Sequence, residues 1–167
     1  VMAVGAVHHR LISEGLRCDC NIIVETASTW NSHHFAVLLG YGASAIYPYL
    51  ALEIINNMIM RNNQDEKTYA HHVNNFIKGI NKGLLKIMSK MGISCISSYR
   101  GAQLFEIIGL NSNVIDLCFR NNVSRIEGAS FDDIESDLRI NKEYSMKVSD
   151  GIGKGGLLKF TADGEYH

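Results

Sequence analysis

Six of the seven histidines occur as three adjacent pairs, which is the first pattern in the chain that could carry chemistry. The pairs are His8–His9, His33–His34 and His71–His72. A helix that binds a metal ion usually places its histidines three or four residues apart, so that both imidazoles reach the same ion. Adjacent residues on a helix point about 100° apart. The spacing therefore favours capping or interface histidines over a metal site.

The segment around Arg100 is the clearest candidate for ligand binding. The string ISCISSY has the length and composition of a strand, and GAQLFEII after it has a helical pattern closed by Gly109. Loops that run from a strand to a helix collect ligand-binding groups in α/β folds. An arginine at the start of a helix also opposes the helix dipole unless an anion lies nearby. We therefore predict that Ser98, Tyr99 and Arg100 contact an anion, or that Arg100 forms an ion pair at a joint between two structural units.

The string GIGKGG, residues 151–156, matches the spacing G-x-G-x-x-G. A dinucleotide-binding loop also needs a helix after it, because the pyrophosphate lies on the N-terminus of that helix. Here LLKFTADGEYH follows, which has the pattern of a strand and a turn. The string is therefore predicted to be a flexible linker.

Four lysines recur at every fourth position and form a basic stripe: Lys78, Lys82, Lys86 and Lys90. Like charges with this spacing destabilise a helix by about 0.2–0.5 kcal/mol per pair. The stripe is thus predicted to face solvent or an acidic neighbour. Gly79 and Gly83 in the same helix weaken it, and they predict the close approach of another backbone.

The four cysteines are scattered along the chain as Cys18, Cys20, Cys95 and Cys118. They form neither a C-x-x-C pair nor the spaced pairs of a zinc site. We predict reduced thiols that lie mostly in the core, where free cysteine is common.

The composition is that of an ordinary globular protein, with 46% hydrophobic and 20% charged residues among 167. The net charge of −1 gives no electrostatic reason to expect nucleic acid or an acidic membrane as a partner. Residues 26–52 carry no Asp, Glu, Lys or Arg. Glycines and a proline interrupt this run, which predicts buried helices with a turn between them and not a membrane span.

Helices and strands alternate in the hydrophobic pattern, which predicts an α/β fold of partial parallel β/α units. The first half predicts helices at 7–17, 32–43 and 49–61, and strands at 20–27 and 44–48. Apolar residues spaced four and three apart from Val73 to Met91 predict one long helix. Further helices are predicted after Asn111 or Ser112 and after Ser130, each of which could serve as an N-cap. The chain then loses periodicity after about residue 140 and is predicted to end in a hairpin with Asp163 and Gly164 as its turn.

Longer strings in the chain resemble one known family. These strings include MAVGAVHHRLISEGLR, HHFAVLLGYGASAIYPYLALE, FIKGINKGLLKIMSKMGISCISSYRGAQLFEIIGL and SRIEGASFDDI. Together they resemble the large subunit of glutamate synthase, in unbroken order along nearly the whole chain. SRIEGASF and GGLLKF favour the bacterial NADPH-dependent type.

The resemblance implies a very long enzyme that transfers the amide nitrogen of glutamine to 2-oxoglutarate and forms glutamate by reduction. It implies an amidotransferase domain, a central domain, an FMN-binding (β/α)8 barrel with a 3Fe–4S cluster, and a small partner subunit that oxidises NADPH. Residues 1–66 would be the end of the central domain, 67–140 would lead into the barrel, and 141–167 would be a glycine-rich linker and hairpin. The expected location is the cytoplasm, and the start at Val1 is consistent with a piece of a longer chain.

No catalytic or cofactor-binding residue of the family is carried over to this chain. The catalytic cysteine of the family is expected upstream of Val1, and its iron–sulfur cysteines and FMN-binding motifs downstream of His167. The resemblance therefore implies a scaffold between two active sites, inactive alone, which lines or supports the ammonia tunnel. The alternatives are a free-standing α/β module that binds an anion near Arg100, and an interaction domain that uses the lysine stripe.

Overall fold

The computed structural model of this chain describes residues 1–61 and 66–146. The described residues form two compact units, residues 1–130 and the part of 131–167 that is described. The fold is a mixed α/β arrangement of helices and short parallel strands, as the hydrophobic pattern predicts. None of the described helices has both the length and the apolar character that a membrane span needs.

The first half alternates helices and strands in the predicted order. The elements are α1 (Met2–Ser13), β1 (Ile23–Glu25), α2 (Ser32–Gly40), β2 (Ala45–Tyr47) and α3 (Tyr49–Arg61). Strands β1 and β2 pair in parallel with a regular register, Ile23 opposite Ala45 and Glu25 opposite Tyr47. Helix α2 is the crossover that a parallel pair requires.

Local signals set the bounds of α2. The side chain of Asn31 caps the helix by accepting the backbone N–H of His34 at 3.1 Å. Gly42 ends it with a φ of 108°, a conformation that favours glycine. The core beside the strands is formed by four buried residues, Val4, Ile22, Leu38 and Ala43.

Helix α4 (Glu66–Lys90) confirms the predicted long helix and packs on α2 and α3. Its apolar seam buries Ile80 and Met88. The four stripe lysines are exposed, and they have no ion pair with any residue in the described part of the chain. At Gly83 a Cβ atom would overlap the side chain of Ser32 at the start of α2, so another element does approach this glycine closely. No described residue would lie within 4 Å of a Cβ atom at Gly79, and a packing partner there stays a prediction.

The strand predicted at ISCISSY is wrong, because Ile96–Tyr99 form a single helical turn, α5. The backbone N–H groups of Ser98 and Tyr99 both donate to the carbonyl of Cys95, at 3.1 and 3.3 Å. The turn places the Tyr99 ring in a buried cluster with Ala36 and Met88. Burial of this large ring outweighs the strand propensity of a short segment that has no pairing partner among the described residues.

The helix predicted at GAQLFEII is also wrong, because Ile107–Leu110 form strand β3. Gly101 and Gln103 adopt left-handed backbone with φ of 69° and 53°, so a helix cannot continue through them. The β-branched Ile107 and Ile108 then favour an extended chain. Gly109, predicted as a helix cap, lies within the strand with φ of 79°.

Strand β3 pairs in parallel with β4 (Ser124–Ala129), a strand that the sequence pattern does not predict. The crossover between them is α6 (Ser112–Cys118), and the Asn111 side chain caps it as predicted, by accepting the backbone N–H of Asn113 at 3.0 Å. Helix α6 packs on α1 so closely that a Cβ atom on Gly5 would overlap the carbonyl of Cys118.

Helix α7 (Phe131–Met146) forms the described part of the second unit. Asp132 and Asp133 lie in its first turn, where the helix dipole favours acidic residues, as predicted. The helix extends six residues past residue 140, where the sequence periodicity fades. The GIGKGG string and the predicted hairpin at Asp163 and Gly164 lie outside the described residues.

Candidate functional site

A cleft of about 400 Å³ lies in the first unit, between α1, the end of α2 and the loops that follow α5 and α6. Ile12, Tyr41 and Phe105 form its apolar part. Its polar side chains are two imidazoles, one guanidinium, three carboxamides and one hydroxyl, from His8, His9, Arg120, Gln103, Asn121, Asn122 and Ser13. The volume lies within the range of small-molecule sites.

His8 is held in one orientation by Arg17. The Arg17 Nε–H donates to His8 Nδ1 at 2.9 Å, while its terminal nitrogens donate to the carbonyls of Cys20 at 2.8 Å and Gly42 at 2.9 Å. Since Nδ1 accepts a hydrogen bond, the neutral ring carries its proton on Nε2. Burial lowers the pKa of His8, and the charges on Arg17 and His9 lower it further.

His9 is the second imidazole of the cleft. Burial lowers the pKa of His9, and the Arg120 guanidinium lowers it further. The Nε–H of Arg120 donates to the carbonyl of Asp116 at 2.9 Å, which fixes the base of the guanidinium. Both imidazoles therefore favour the neutral form near pH 7, and Arg120 is the only side chain with a formal charge among the described residues that line the cleft.

Aromatic rings form one wall of the cleft. Tyr41 stacks on Phe105 with ring centroids 5.6 Å apart, and it meets Phe119 edge-on at 5.0 Å. The Tyr41 hydroxyl donates to Asn122 Oδ1 at 3.4 Å. Phe105 lies directly over Gly40, where a Cβ atom would come within 2.5 Å of the ring. These contacts fix the wall before any ligand binds.

Two loop residues of the cleft have unusual backbone. Gln103 and Asn121, with φ of 53° and 65°, are the two non-glycine residues with positive φ in the described ranges. Asn121 follows the end of α6, where asparagine commonly takes this conformation. Gln103 has no such local reason, and strained backbone of this kind concentrates at ligand sites.

The residues predicted around Arg100 lie near the cleft in sequence but do not line it. Arg100 follows the C-terminal end of α5 and not the start of a helix, so the dipole argument for an anion is wrong. Its guanidinium donates to Ser44 Oγ at 3.2 Å, which ties this loop to the start of β2. Ser98 is exposed, and an anion at Arg100 stays a prediction.

Tyr99 is 1% exposed, and its hydroxyl has no hydrogen-bond partner among the described residues. Burial raises the pKa of Tyr99. The Tyr99 ring stabilises the core by packing in it, whereas burial of its hydroxyl without a partner among the described residues is unfavourable.

The other two histidine pairs form local contacts. His34 Nδ1 accepts the backbone N–H of Trp30 at 3.3 Å, and His71 lies 2.9 Å from the side chain of Asn75. Within residues 1–61 and 66–146 no group of three or more His, Cys, Asp or Glu residues could hold a metal ion.

The four cysteines are free thiols, as predicted, but their expected burial is wrong for three of them. Only Cys118 is buried, whereas Cys18, Cys20 and Cys95 are exposed. Cys118 packs where α6 meets α1. Within the described residues the exposed cysteines provide no ligand set for an iron–sulfur cluster.

Sequence reasoning identified His8 and His9 as a pair but missed the other cleft residues. Gln103, Arg120, Asn121 and Asn122 come from two loops whose contact depends on tertiary packing. The one local signal is the run Arg120-Asn121-Asn122 directly after a helix, which marks a turn but not a site.

Comparison with known proteins assigns the chain to a family. Residues 1–111 match the family model of the glutamate synthase central domain. The chain is 42% identical to the ferredoxin-dependent glutamate synthase of Cyanidium caldarium, covering 100% of this chain and 12% of that protein. It is 44% identical to ferredoxin-dependent glutamate synthase 1, chloroplastic/mitochondrial, of Arabidopsis thaliana, with 100% and 11% covered. It is 39% identical to ferredoxin-dependent glutamate synthase 2 of Synechocystis, again with 100% and 11% covered.

These three relatives are ferredoxin-dependent, so they do not support the NADPH-dependent bacterial type. One of the strings that favoured that type, SRIEGASF, forms β4 and the start of α7. The chain spans about 12% of the length of the curated relatives that it matches. The family match continues through residue 111, and the boundary after residue 66 stays a prediction. The chain belongs to the family of the glutamate synthase central domain.

Proposed function

We propose that this chain acts as the central-domain part of a glutamate synthase, an oxidoreductase. The reaction transfers the amide nitrogen of glutamine to 2-oxoglutarate and reduces the product to glutamate. The observation that carries the proposal is the alignment of the whole chain, at 42% identity, with a ferredoxin-dependent glutamate synthase.

Within such an enzyme we assign this chain the role of a scaffold between the amidotransferase and synthase sites, which lines or supports the path of ammonia. The exposed strand residues support a covered position. Ile23 is 73%, Ile108 68% and Ile126 57% exposed, whereas parallel sheets are normally covered on both faces. The remaining domains of a parent chain are the proposed partners that cover them.

The names of the relatives favour reduced ferredoxin as the electron donor. NADPH, oxidised by a small partner subunit, is the rival donor that the sequence resemblance predicted. FMN and the 3Fe–4S cluster belong to the parent enzyme in this proposal. The described residues supply no ligand set for the cluster, and we assign no step of the reaction to them.

The proposed location remains the cytoplasm, and the proposed partners include neither nucleic acid nor a membrane. The net charge of −1 supports the partner proposal. The chloroplast appears in the name of the Arabidopsis relative and applies to that protein.

The test uses the full-length protein that contains this sequence. It is supplied with glutamine labelled with ¹⁵N at the amide, with 2-oxoglutarate, and with reduced ferredoxin or NADPH in parallel. We expect ¹⁵N in the α-amino group of glutamate with reduced ferredoxin, and none when 2-oxoglutarate is omitted. The absence of labelled glutamate with both reduced ferredoxin and NADPH would contradict the assignment.

The 167-residue chain alone is the matched control in the same assay. We expect no labelled amino group from it, because the resemblance places the catalytic cysteine and the cofactor motifs outside this sequence. Glutamate formation by the isolated chain would overturn the scaffold role and leave the family assignment intact.

A further inference from the structure

We propose that the cleft between α1 and the loops after α5 and α6 binds a small carboxylate. The proposal does not depend on the amidotransferase or synthase chemistry. It rests on the charge, the hydrogen-bond donors and the prebuilt walls of the cleft.

The charge of the cleft favours an anion with a single negative charge. Among the described residues, Arg120 is the one charged residue that lines the cleft, and no carboxylate lines it. Because Arg120 Nε is bonded to the carbonyl of Asp116, the guanidinium is anchored at one side. Its terminal nitrogens have no hydrogen bond or ion pair with any described residue, and they present the paired donors that match a carboxylate.

The imidazoles supply neutral donors beside this charge. The hydrogen bond from Arg17 occupies His8 Nδ1 and leaves Nε2–H as the donor of the ring. His9 lies close enough to Arg120 for the guanidinium to affect its titration. The charged and titratable groups that line the cleft are thus His8 and His9 from α1, Tyr41 after α2, and Arg120 after α6.

The remaining walls suit the uncharged end of such a ligand. Gln103, Asn121 and Asn122 offer carboxamides that both donate and accept. The stacked rings of Tyr41 and Phe105 offer a rigid apolar surface. Gln103 keeps its left-handed backbone at the cleft without a local sequence reason, which fits a position selected for its side chain.

One guanidinium with two neutral imidazoles distinguishes a carboxylate from a phosphate. A phosphate carries a charge of about −1.5 to −2 near neutral pH, and a single arginine neutralises only part of it. A metal ion would need acidic or clustered ligands, which the cleft lining lacks. The structure therefore favours the monoanion.

The test measures binding of succinamate to the full 167-residue chain by isothermal titration calorimetry. Succinamide, which has the same shape but no charge, is the matched ligand, and inorganic phosphate is the competing anion. We expect succinamate to bind at least about tenfold more tightly than either. In NMR spectra the imidazole C–H signals of His8 and His9 should shift with succinamate.

Two variants locate the site. Arg120→Gln should weaken succinamate binding about tenfold or more. Gln103→Glu should abolish binding, because it places a negative charge in the cleft on a side chain of nearly the same size as glutamine. Arg125→Gln removes another exposed arginine, which lies outside the cleft, and should leave binding unchanged. Circular dichroism checks that each variant is folded, which is expected because Arg120 and Gln103 are exposed.

Equal affinity for succinamate and succinamide would overturn the proposal, as would wild-type affinity in Arg120→Gln. Tighter binding of phosphate would overturn the carboxylate assignment. Since the readout is binding to this chain, none of these outcomes bears on glutamate formation by the full-length protein.

Discussion

The two parallel strand pairs have the same topology but are held together differently. In the first pair, β1 and β2 keep a regular register on either side of α2. In the second pair, β3 and β4 on either side of α6 have two register shifts, between Ile107 and Ile108 and between Ile108 and Leu110. Glycines lie inside the second pair, whereas the strands of the first pair contain none.

The first pair is stabilised by side-chain hydrogen bonds, whereas the second pair depends on the close approach of two backbones. The first pair is fastened from outside by Arg17, which links α1 to the loops before β1 and β2. The second pair depends on Gly128, whose α-carbon lies against the carbonyl of Gly109. Substitutions should therefore damage the first pair through lost hydrogen bonds and the second pair through steric overlap.

The largest effect is expected at Gly128 of the second pair. A Cβ atom there would lie 2.5 Å from the carbonyl oxygen of Gly109, so the backbone of one strand must shift. We expect Gly128→Ala to lower the free energy of unfolding by about 2–3 kcal/mol, the usual cost of overpacking. Urea denaturation followed by circular dichroism measures it.

Gly109→Ala is the matched variant across the same contact. Its Cβ atom would meet nothing within 4 Å, but the φ of 79° strains any other residue. The expected cost is about 1–2 kcal/mol. If Gly128→Ala proves the milder of the two, steric overlap does not control the second pair.

The next prediction compares two arginines, Arg17 beside the first pair and Arg125 in the second pair. Arg17→Gln removes donors to His8 and to two carbonyls, so we expect a loss of about 2 kcal/mol in the free energy of unfolding. Arg125→Gln breaks an exposed ion pair with Glu106 at 3.6 Å, which is worth at most about 0.5 kcal/mol.

Arg17→Lys keeps the charge at the first pair but cannot make three divergent hydrogen bonds. It should resemble Arg17→Gln in urea denaturation. Wild-type stability in Arg17→Lys would mean that charge alone, and not the hydrogen bonds, fastens the first pair.

The same difference explains why the sequence predicted one pair and not the other. The first pair has β-branched strands bounded by an asparagine cap and by Gly42, so local signals agree with the fold. In the second pair, the backbone of Gly109 and Gly128 depends on the contact between the strands. A pattern read along one strand cannot contain that contact, so Gly109 was interpreted as a helix cap.

The candidate site was less predictable than the fold. His8 and His9 are adjacent in the sequence, but the donor to His8 comes from Arg17, nine residues away, and the charge that acts on His9 comes from Arg120, more than a hundred residues away. The prediction of an anion site at Arg100 depended on a strand before it. That segment is a helical turn instead, and the Arg100 guanidinium donates a hydrogen bond to Ser44.

A smaller effect is expected in α4, which packs on the crossover helix of the first pair. Gly83 faces Ser32, whereas Gly79 has open space around it. Gly79→Ala should raise the free energy of unfolding by up to about 1 kcal/mol through helix propensity. Gly83→Ala should lower it by about 1 kcal/mol, because the new Cβ atom would overlap the Cβ of Ser32, which side-chain rotation does not move.

Thermal denaturation of the two glycine variants measures the sign directly. Ser32→Gly combined with Gly83→Ala removes both overlapping atoms of Ser32, its Oγ and its Cβ, and should recover stability. If both single variants stabilise α4 equally, close packing at Gly83 contributes nothing to the cover of the first pair.

The smallest effect is expected from acid pH, which should lower the stability of the first pair. Arg17 at the first pair contacts His8, whereas residues 107–129 of the second pair contain no histidine. Because the pKa of His8 is lowered from 6.5 in the folded chain, the unfolded chain binds the proton first. Stability is therefore fully present above about pH 6.5 and decreases as the pH falls through that value.

His8→Asn keeps an acceptor near Arg17 without titrating, so its melting temperature should fall less than that of the wild type between pH 7.5 and 5.5. The lowered pKa of His9 adds a decrease of the same sign, which the double variant His8→Asn/His9→Asn should remove. An unchanged pH dependence in the double variant would place the acid sensitivity outside the cleft and outside the first strand pair.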